Sequence, residues 1–247
     1  MSLPAPVDQV HHSALQVLDV FALCTRGQPV RLPLGAQRCI AYLAMRPRPQ
    51  CRAGVAAQLW PDLPEARAAA TMRSILWQVR KRAPGVINGH ADTVTLGPAV
   101  GVDVRRAIEC ARQLTGPEPR LDDWANMVED LGYDILPTWP DDWLVLERER
   151  YRQIRLHALE SLSRALSRTG HTQPAIDLAL NAVAADPLRE TAQRALIEAH
   201  LADGNLSEAL RQYQIYVRTL RSALGVEPTQ ALAGLVLDRK MPTSIRQ

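Results

Sequence analysis

The sequence predicts a mainly α protein in two parts, a small α+β head followed by an all-α array of helical hairpins. Three observations carry that expectation. Aromatic residues are scarce, with a single Phe, while Ala, Leu, Arg and Pro dominate, a composition that suits close helix packing better than a β-sandwich. Apolar residues alternate with period two near the start and then switch to helical spacing. Small residues recur 34 positions apart, Gly170 with Gly204 and Ala175 with Ala209, the spacing of tetratricopeptide hairpins.

Taken in order, "MSLPAPVDQVHH" lacks the basic start and apolar run of a signal peptide, and residues 1–13 read as a disordered leader. "LQVLDVFAL" (15–23) reads as a strand, "RGQP" (26–29) as a turn with Gly27 free to take a positive φ, and "VRLPL" (30–34) as a second short strand. In "GAQRCIAYLAMRP" the residues Ala36, Cys39, Ile40, Leu43 and Ala44 share one helical face, and Pro47 and Pro49 end the helix. "RAGVAAQLWP" (52–61) gives a second helix with Val55, Leu59 and Trp60 inward. A third runs from about Glu65 to Ala83, with Pro64 tolerated at its start. Two short β runs follow, 86–87 and 92–96, joined by "NGHA" (88–91), where Asn-Gly marks a hairpin turn. Strands, three helices and a hairpin are the order of a winged helix-turn-helix, in which the third helix enters the major groove and the hairpin lies beside it.

On the third helix, Met72, Ile75, Leu76, Val79 and Ala83 form the core stripe, while Arg67, Ala70, Ser74, Trp77 and Lys81 point the opposite way. Arg73 and Arg80 flank one side of that outward face, and Thr71, Gln78 and Arg82 the other. Five Arg and Lys against one Glu make a phosphate-contact pattern, and Arg, Ser and Gln also read base edges. The net charge of +3 hides an asymmetry: residues 1–103 carry eleven Arg and Lys against six Asp and Glu, and residues 104–247 carry eighteen against twenty. A basic first part joined to a mildly acidic second suggests a polyanion-binding module joined to something else, and the winged-helix order makes double-stranded DNA the expected partner.

The second part reads as helix 104–115, a loop at 116–123, and a long helix 141–170 with Asp141 or Asp142 as its N-cap and Gly170 at its end. "GHTQPAI" and "GNLSEAL" then open the second helices of two similar hairpins. Such stacks present protein-binding surfaces. The expected division is leader 1–13, winged helix 14–103, tetratricopeptide-like domain 104–240 and tail 241–247.

Other chemistries find little support. No His pairs with Cys, Asp or Glu at metal spacing, so neither a metal nor a cofactor is expected. The four Cys are widely spaced and read as reduced, mostly buried thiols of a cytoplasmic protein. No apolar run reaches transmembrane length. No nucleophile–base constellation stands out, so the chain is not expected to be an enzyme. Trp124, Trp139 and Trp143 are expected to plug a junction between the two parts, beside which a ligand pocket is the rival reading.

"LPLGAQRCIAYLAM", the "QLW" ending the second helix, the basic third helix, "VDV", "LSRTG" and "DPLRETAQRALIEAHLADGNLSEALRQYQIYVRTLRSALGVEP" together resemble the Streptomyces antibiotic regulatory protein (SARP) family over residues 15–236. The resemblance implies a winged helix like that of two-component regulators, followed by a bacterial transcriptional activator domain. It also implies an activator that binds tandem direct repeats at antibiotic-biosynthesis promoters, head to tail, and helps recruit RNA polymerase. The absence of a G-x-x-x-x-G-K-[ST] motif is in keeping with a small stand-alone member without nucleotide-driven control. By position, Arg73 and Ser74 would lie near bases and Arg80 and Lys81 near phosphates. The expected DNA-binding set is Arg67, Thr71, Arg73, Ser74, Trp77, Gln78, Arg80, Lys81 and His90. This chain departs from the family where Val79-Arg80-Lys81-Arg82-Ala83 replaces a Leu-Arg-Arg-x-Leu-like run, where Trp77 replaces a small or polar residue, and where a short wing carries His90. Trp77 supports an alternative, a protein-interaction adaptor whose winged helix does not read DNA.

Overall fold

The computed structural model describes residues 13–116 and 124–237. The expected leader, all but Ser13, the expected tail, the end of the second domain and nearly all of loop 116–123 lie outside the described residues. Those described pack as two compact units, 13–108 with 133–151, and 109–116 and 124–132 with 152–237. The sequence reading places the boundary between its two domains at 103/104. Packing divides the chain inside two helices instead and returns 133–151 to the first unit.

The first unit contains β1 (Ser13–Gln16), β2 (Ala22–Thr25), β3 (Gln28–Pro29), α1 (Leu34–Ala44), β4 (Gln50–Cys51), α2 (Arg52–Leu59), α3 (Glu65–Arg82), β5 (Ile87–His90), β6 (Thr93–Leu96) and β7 (Val100–Val102). One sheet has the order β3-β2-β1-β7, with β1 and β7 parallel, and a second has the order β4-β6-β5. Residues 15–23, expected as one strand, are the two arms of a hairpin, with Leu15 opposite Leu23. The chain reverses where Asp19 takes a φ of 67°, and its N–H donates to the Asp134 carbonyl. Leu15, Val17, Leu18 and Leu23 are all buried, so their alternation looked continuous across the break. The expected strand at 30–34 is also absent. Pairing ends just after Pro29, because Pro33 has no N–H to donate and α1 starts at Leu34.

Three helices stand where the sequence put them. The inward face of α1 (Ala36, Cys39, Ile40, Leu43, Ala44) and the stripe of α3 (Met72, Ile75, Leu76, Val79), with Ala83 just beyond it, are buried. The ends of the unit are tied by polar side chains. The Asp103 carboxylate accepts from the N–H groups of Val17, Leu18 and Val104 at 2.7–3.1 Å. The Arg105 guanidinium donates to the carbonyls of Leu43, Ala44 and Arg46, serving the C-terminal end of α1. Burial lowers the Arg105 pKa from its ordinary value.

In the returning segment, Trp139 stacks on Phe21 (ring centroids 5.9 Å apart) and Trp143 meets Tyr42 edge-on at 5.3 Å. Both indoles find these partners within the first unit, Trp143 buried and Trp139 half-buried. Asp141 accepts from the Arg38 guanidinium at 2.5–2.6 Å and from the Trp143 indole N–H at 3.0 Å. Its side chain is therefore spent on that pair, and only its backbone carbonyl serves the following helix, accepting from the Leu144 N–H.

The remaining elements are α4 (Asp103–Leu114), α5 (Trp124–Val128), a 3-10 turn (Asp130–Gly132), α6 (Asp142–Arg168), α7 (Thr172–Ala185), α8 (Glu190–Ala202), α9 (Leu206–Leu224) and α10 (Gln230–Leu237). α4 and α6 each run from the first unit into the second. Within the second unit the 34-residue period is visible as geometry. Gly170 and Gly204, with φ of 83° and 77°, make matching left-handed turns before α7 and α9. Ala175 and Ala209 are fully buried where successive helices approach. Ile197, Ala209, Tyr216, Leu220, Leu232 and Val236 form a core that α10 closes. A winged helix followed by a tetratricopeptide-like all-α array is thus the architecture.

Candidate nucleic-acid interface

The outward face of α3 is solvent-exposed along its length. Arg67, Arg73, Ser74, Trp77, Arg80, Lys81 and Arg82 are exposed, and Thr71 and Gln78 half-buried. Two pairs organise it at the i, i+4 spacing that neighbours require. Gln78 donates to the Ser74 hydroxyl at 3.4 Å, and the Lys81 ammonium sits 5.0 Å from the Trp77 ring centroid. Trp77 remains 61% exposed, so an apolar ring stands in the middle of a cationic surface. Among the described residues, none of the five basic side chains of α3 meets a carboxylate. Glu65, the helix's own acid, lies in its first turn.

The wing differs from the sequence reading in one instructive way. Its turn is at Ala91-Asp92, with Ala91 at a φ of 45°, and not at Asn88-Gly89. Asn88 and Gly89 lie within the ladder, opposite Thr95 and Val94. Gly89 gives room there to two side chains. A Cβ on it would lie 2.8 Å from a guanidinium nitrogen of Arg80 and 2.8 Å from one of Arg52. Two guanidiniums therefore converge over the bare backbone of the wing.

Arg52 is the residue that the sequence reading missed. It begins α2, its Nε donates to the Thr93 carbonyl at 3.2 Å, and its backbone N–H donates to the Asp92 carbonyl at 2.8 Å. The cause is β4, a two-residue strand whose Gln50 and Cys51 pair with Val94 and Thr93. Two residues carry no periodic signal. His90 is exposed, and its carbonyl accepts from the Thr93 hydroxyl. In the same last turn of α3, Arg82 donates to the Arg31 carbonyl.

Other sites are sparse. Cys39 is fully buried and its thiol is pushed up to about 12 by desolvation, whereas Cys24 and Cys110 are partly exposed and Cys51 is exposed. "Mostly buried thiols" thus describes only one of the four. Among the described residues no three His, Cys, Asp or Glu come together as a metal set, and no helix is long and apolar enough to cross a membrane.

The fold defines the class, a winged helix joined to helical hairpins. The family model of the bacterial transcriptional activator domain matches residues 106–237, more than half of the chain. Among solved structures, Mycobacterium tuberculosis EmbR in complex with a low affinity phosphopeptide matches with a TM-score of 0.73 and 19% identity, over 94% of this chain and 66% of that one. At that identity the likeness shows the fold, and this chain spans just under two thirds of the EmbR chain's length. No match was found among the curated proteins. The chain belongs to the SARP-type family of bacterial transcriptional activators.

Proposed function

We propose that this chain is a sequence-specific DNA-binding activator whose α3 enters the major groove while the β5–β6 wing lies against the backbone. The observation that carries the reading is the cationic face of α3, unpaired among the described residues and continued by Arg52 and Arg80 over Gly89. A face with so little internal neutralisation suits a polyanion, whose bound counterions it would release. Arg73 and Ser74 read base edges, with Gln78 and Thr71 beside them. Trp77 packs on a thymine methyl or sugar edge. Arg80, Lys81 and Arg67 hold phosphates, and His90 reaches the backbone from the wing. In this reading the chain binds tandem direct repeats at a biosynthetic promoter as a head-to-tail pair, and the tetratricopeptide-like unit contacts RNA polymerase.

The test is an electrophoretic shift with the promoter DNA neighbouring the chain's own gene, followed by footprinting. A shift with a repeat-spaced footprint is expected. Failure to shift any fragment at low salt favours the second reading, a protein-interaction adaptor. The exposure of Trp77 keeps that reading alive, because aromatic side chains anchor protein interfaces. Arg73→Ala separates the two further: it relaxes sequence choice in the first and leaves the adaptor intact.

A further inference from the structure

We infer that the second unit carries a binding groove for an acidic, leucine-bearing peptide segment of a partner protein, on the face shared by α6, α8 and α10. This groove, about 430 Å³, is independent of the α3 surface and belongs wholly to the second unit. Arg164, Ser167 and Arg168 supply one wall. Their i, i+3, i+4 spacing puts them on one side of α6. Glu198 and Leu201 supply the facing wall from α8, and Leu235 of α10 closes the apolar end.

The charge of the groove is set by which groups are already engaged. Glu198 accepts from Arg194 at 2.7 Å, so its carboxylate is neutralised from outside. Arg164 and Arg168 donate only through Nε, to the backbone carbonyls of Glu160 and Arg164 of their own helix. That leaves both outer nitrogens of each guanidinium without a partner among the described residues, beside a half-buried Leu201 and Leu235. Elsewhere in the same unit several arginines are matched to carboxylates, as Arg189 is to Glu160 and Arg152 to Asp186. Here two forks stand side by side at one end of an apolar trough. A carboxylate fits the forks in a bidentate manner, and an aliphatic side chain one or two residues along fits Leu201 and Leu235. The volume suits two or three side chains of an extended segment, and the alternate helices of a hairpin stack build surfaces of this kind.

The test uses the full chain and a fluorescein-labelled peptide, acetyl-Glu-Leu-Asp-Leu-Glu-Leu-amide, read by anisotropy at low salt. The expected result is saturable binding that the Lys-for-acid version of the peptide does not show. Arg164→Glu with Arg168→Glu should abolish it, and Arg168→Gln alone, at an exposed position, should weaken it by about tenfold. Each variant should keep the wild-type circular dichroism spectrum and the DNA shift, which separates loss of the groove from loss of the fold or of the α3 surface. No saturation at millimolar peptide, equal binding of the Lys version, or full binding by the doubly reversed variant would each overturn the assignment.

Discussion

Arginine is abundant in both units, and its clearest contrast is between the matched pairs of the second and the open face of α3 in the first. In the second, Arg189 meets Glu160 at 2.6 Å, Arg152 meets Asp186 at 2.7 Å, Arg194 meets Glu198, Arg211 meets Glu208 and Arg221 meets Glu227. In the first, the basic side chains of α3 meet no carboxylate among the described residues, and two guanidiniums gather over Gly89. Abundance of a charged residue therefore says little about its role. What distinguishes the two uses is whether the fold supplies the counter-charge or leaves it to come from outside.

The largest expected effect is at the buried pair of the second unit. The Glu160 side chain is 1% exposed and that of Arg189 16%, with Gln153 also accepting from Arg189 and Thr191 donating to Glu160. Arg189→Ala strands a buried carboxylate and should cost about 3 kcal/mol or more in urea unfolding. Gly97→Ala comes next. Its Cβ would stand 2.0 Å from the Gly85 carbonyl oxygen, backbone that has no room to move, so the base of the wing must shift, at about 2 kcal/mol.

Gly89→Ala sharpens the comparison from the other side. Its Cβ comes within 3 Å only of the ends of two flexible side chains, with the Thr93 carbonyl oxygen at 3.3 Å. Stability should change by less than about 0.5 kcal/mol, while duplex affinity falls by about tenfold because the paired guanidiniums part. A matched loss of stability and affinity would instead make Gly89 a packing residue. Trp77→Ala should leave the unfolding midpoint nearly unchanged and alter sequence preference in a binding-site selection; unchanged preference would assign the indole to a protein contact. The smallest effect is chemical. Iodoacetamide followed by mass spectrometry at neutral pH should label exposed Cys51 and spare Cys39, whose thiol stays protonated.

High pH offers an independent check on the cores. Burial raises Cys39 and Tyr216 to about 12, with Glu190 and Asp186 adding to the effect on Tyr216. Both groups hold their protons more tightly folded than unfolded. Their contribution is fully present below the unfolded values of 9.0 and 10.0 and is lost as pH rises toward 12. Unfolding midpoints should therefore fall across that window. Tyr216→Phe should flatten part of the fall.

The sequence made the long periodic elements legible and the short ones not. The stripe of α3 and the left-handed turns at Gly170 and Gly204 follow from spacing alone, since each is a local pattern enforced by burial or by φ. The break at Asp19, the two residues of β4 and the return of 133–151 to the first unit depend on partners far along the chain, Asp134 for Asp19 and Thr93 for Cys51. The same holds for the candidate interface. Helical geometry identified Ser74, Trp77 and Lys81 as outward-facing with Arg73 beside them, whereas Arg52 joins Arg80 only through that distant strand pairing. Asn88-Gly89 misled as a turn signal because glycine there serves close approach by side chains rather than a positive φ.

The central claim is that the first unit's unpaired cations await a polyanion. The most direct measurement is duplex affinity as a function of salt for the wild-type chain and for the Arg52→Ala, Arg80→Ala double variant. The account predicts that wild-type affinity falls roughly a hundredfold or more between about 50 and 200 mM salt, and that the double variant has a log–log slope shallower by about 2. Binding that ignores salt, or a slope unchanged by the double substitution, would contradict it.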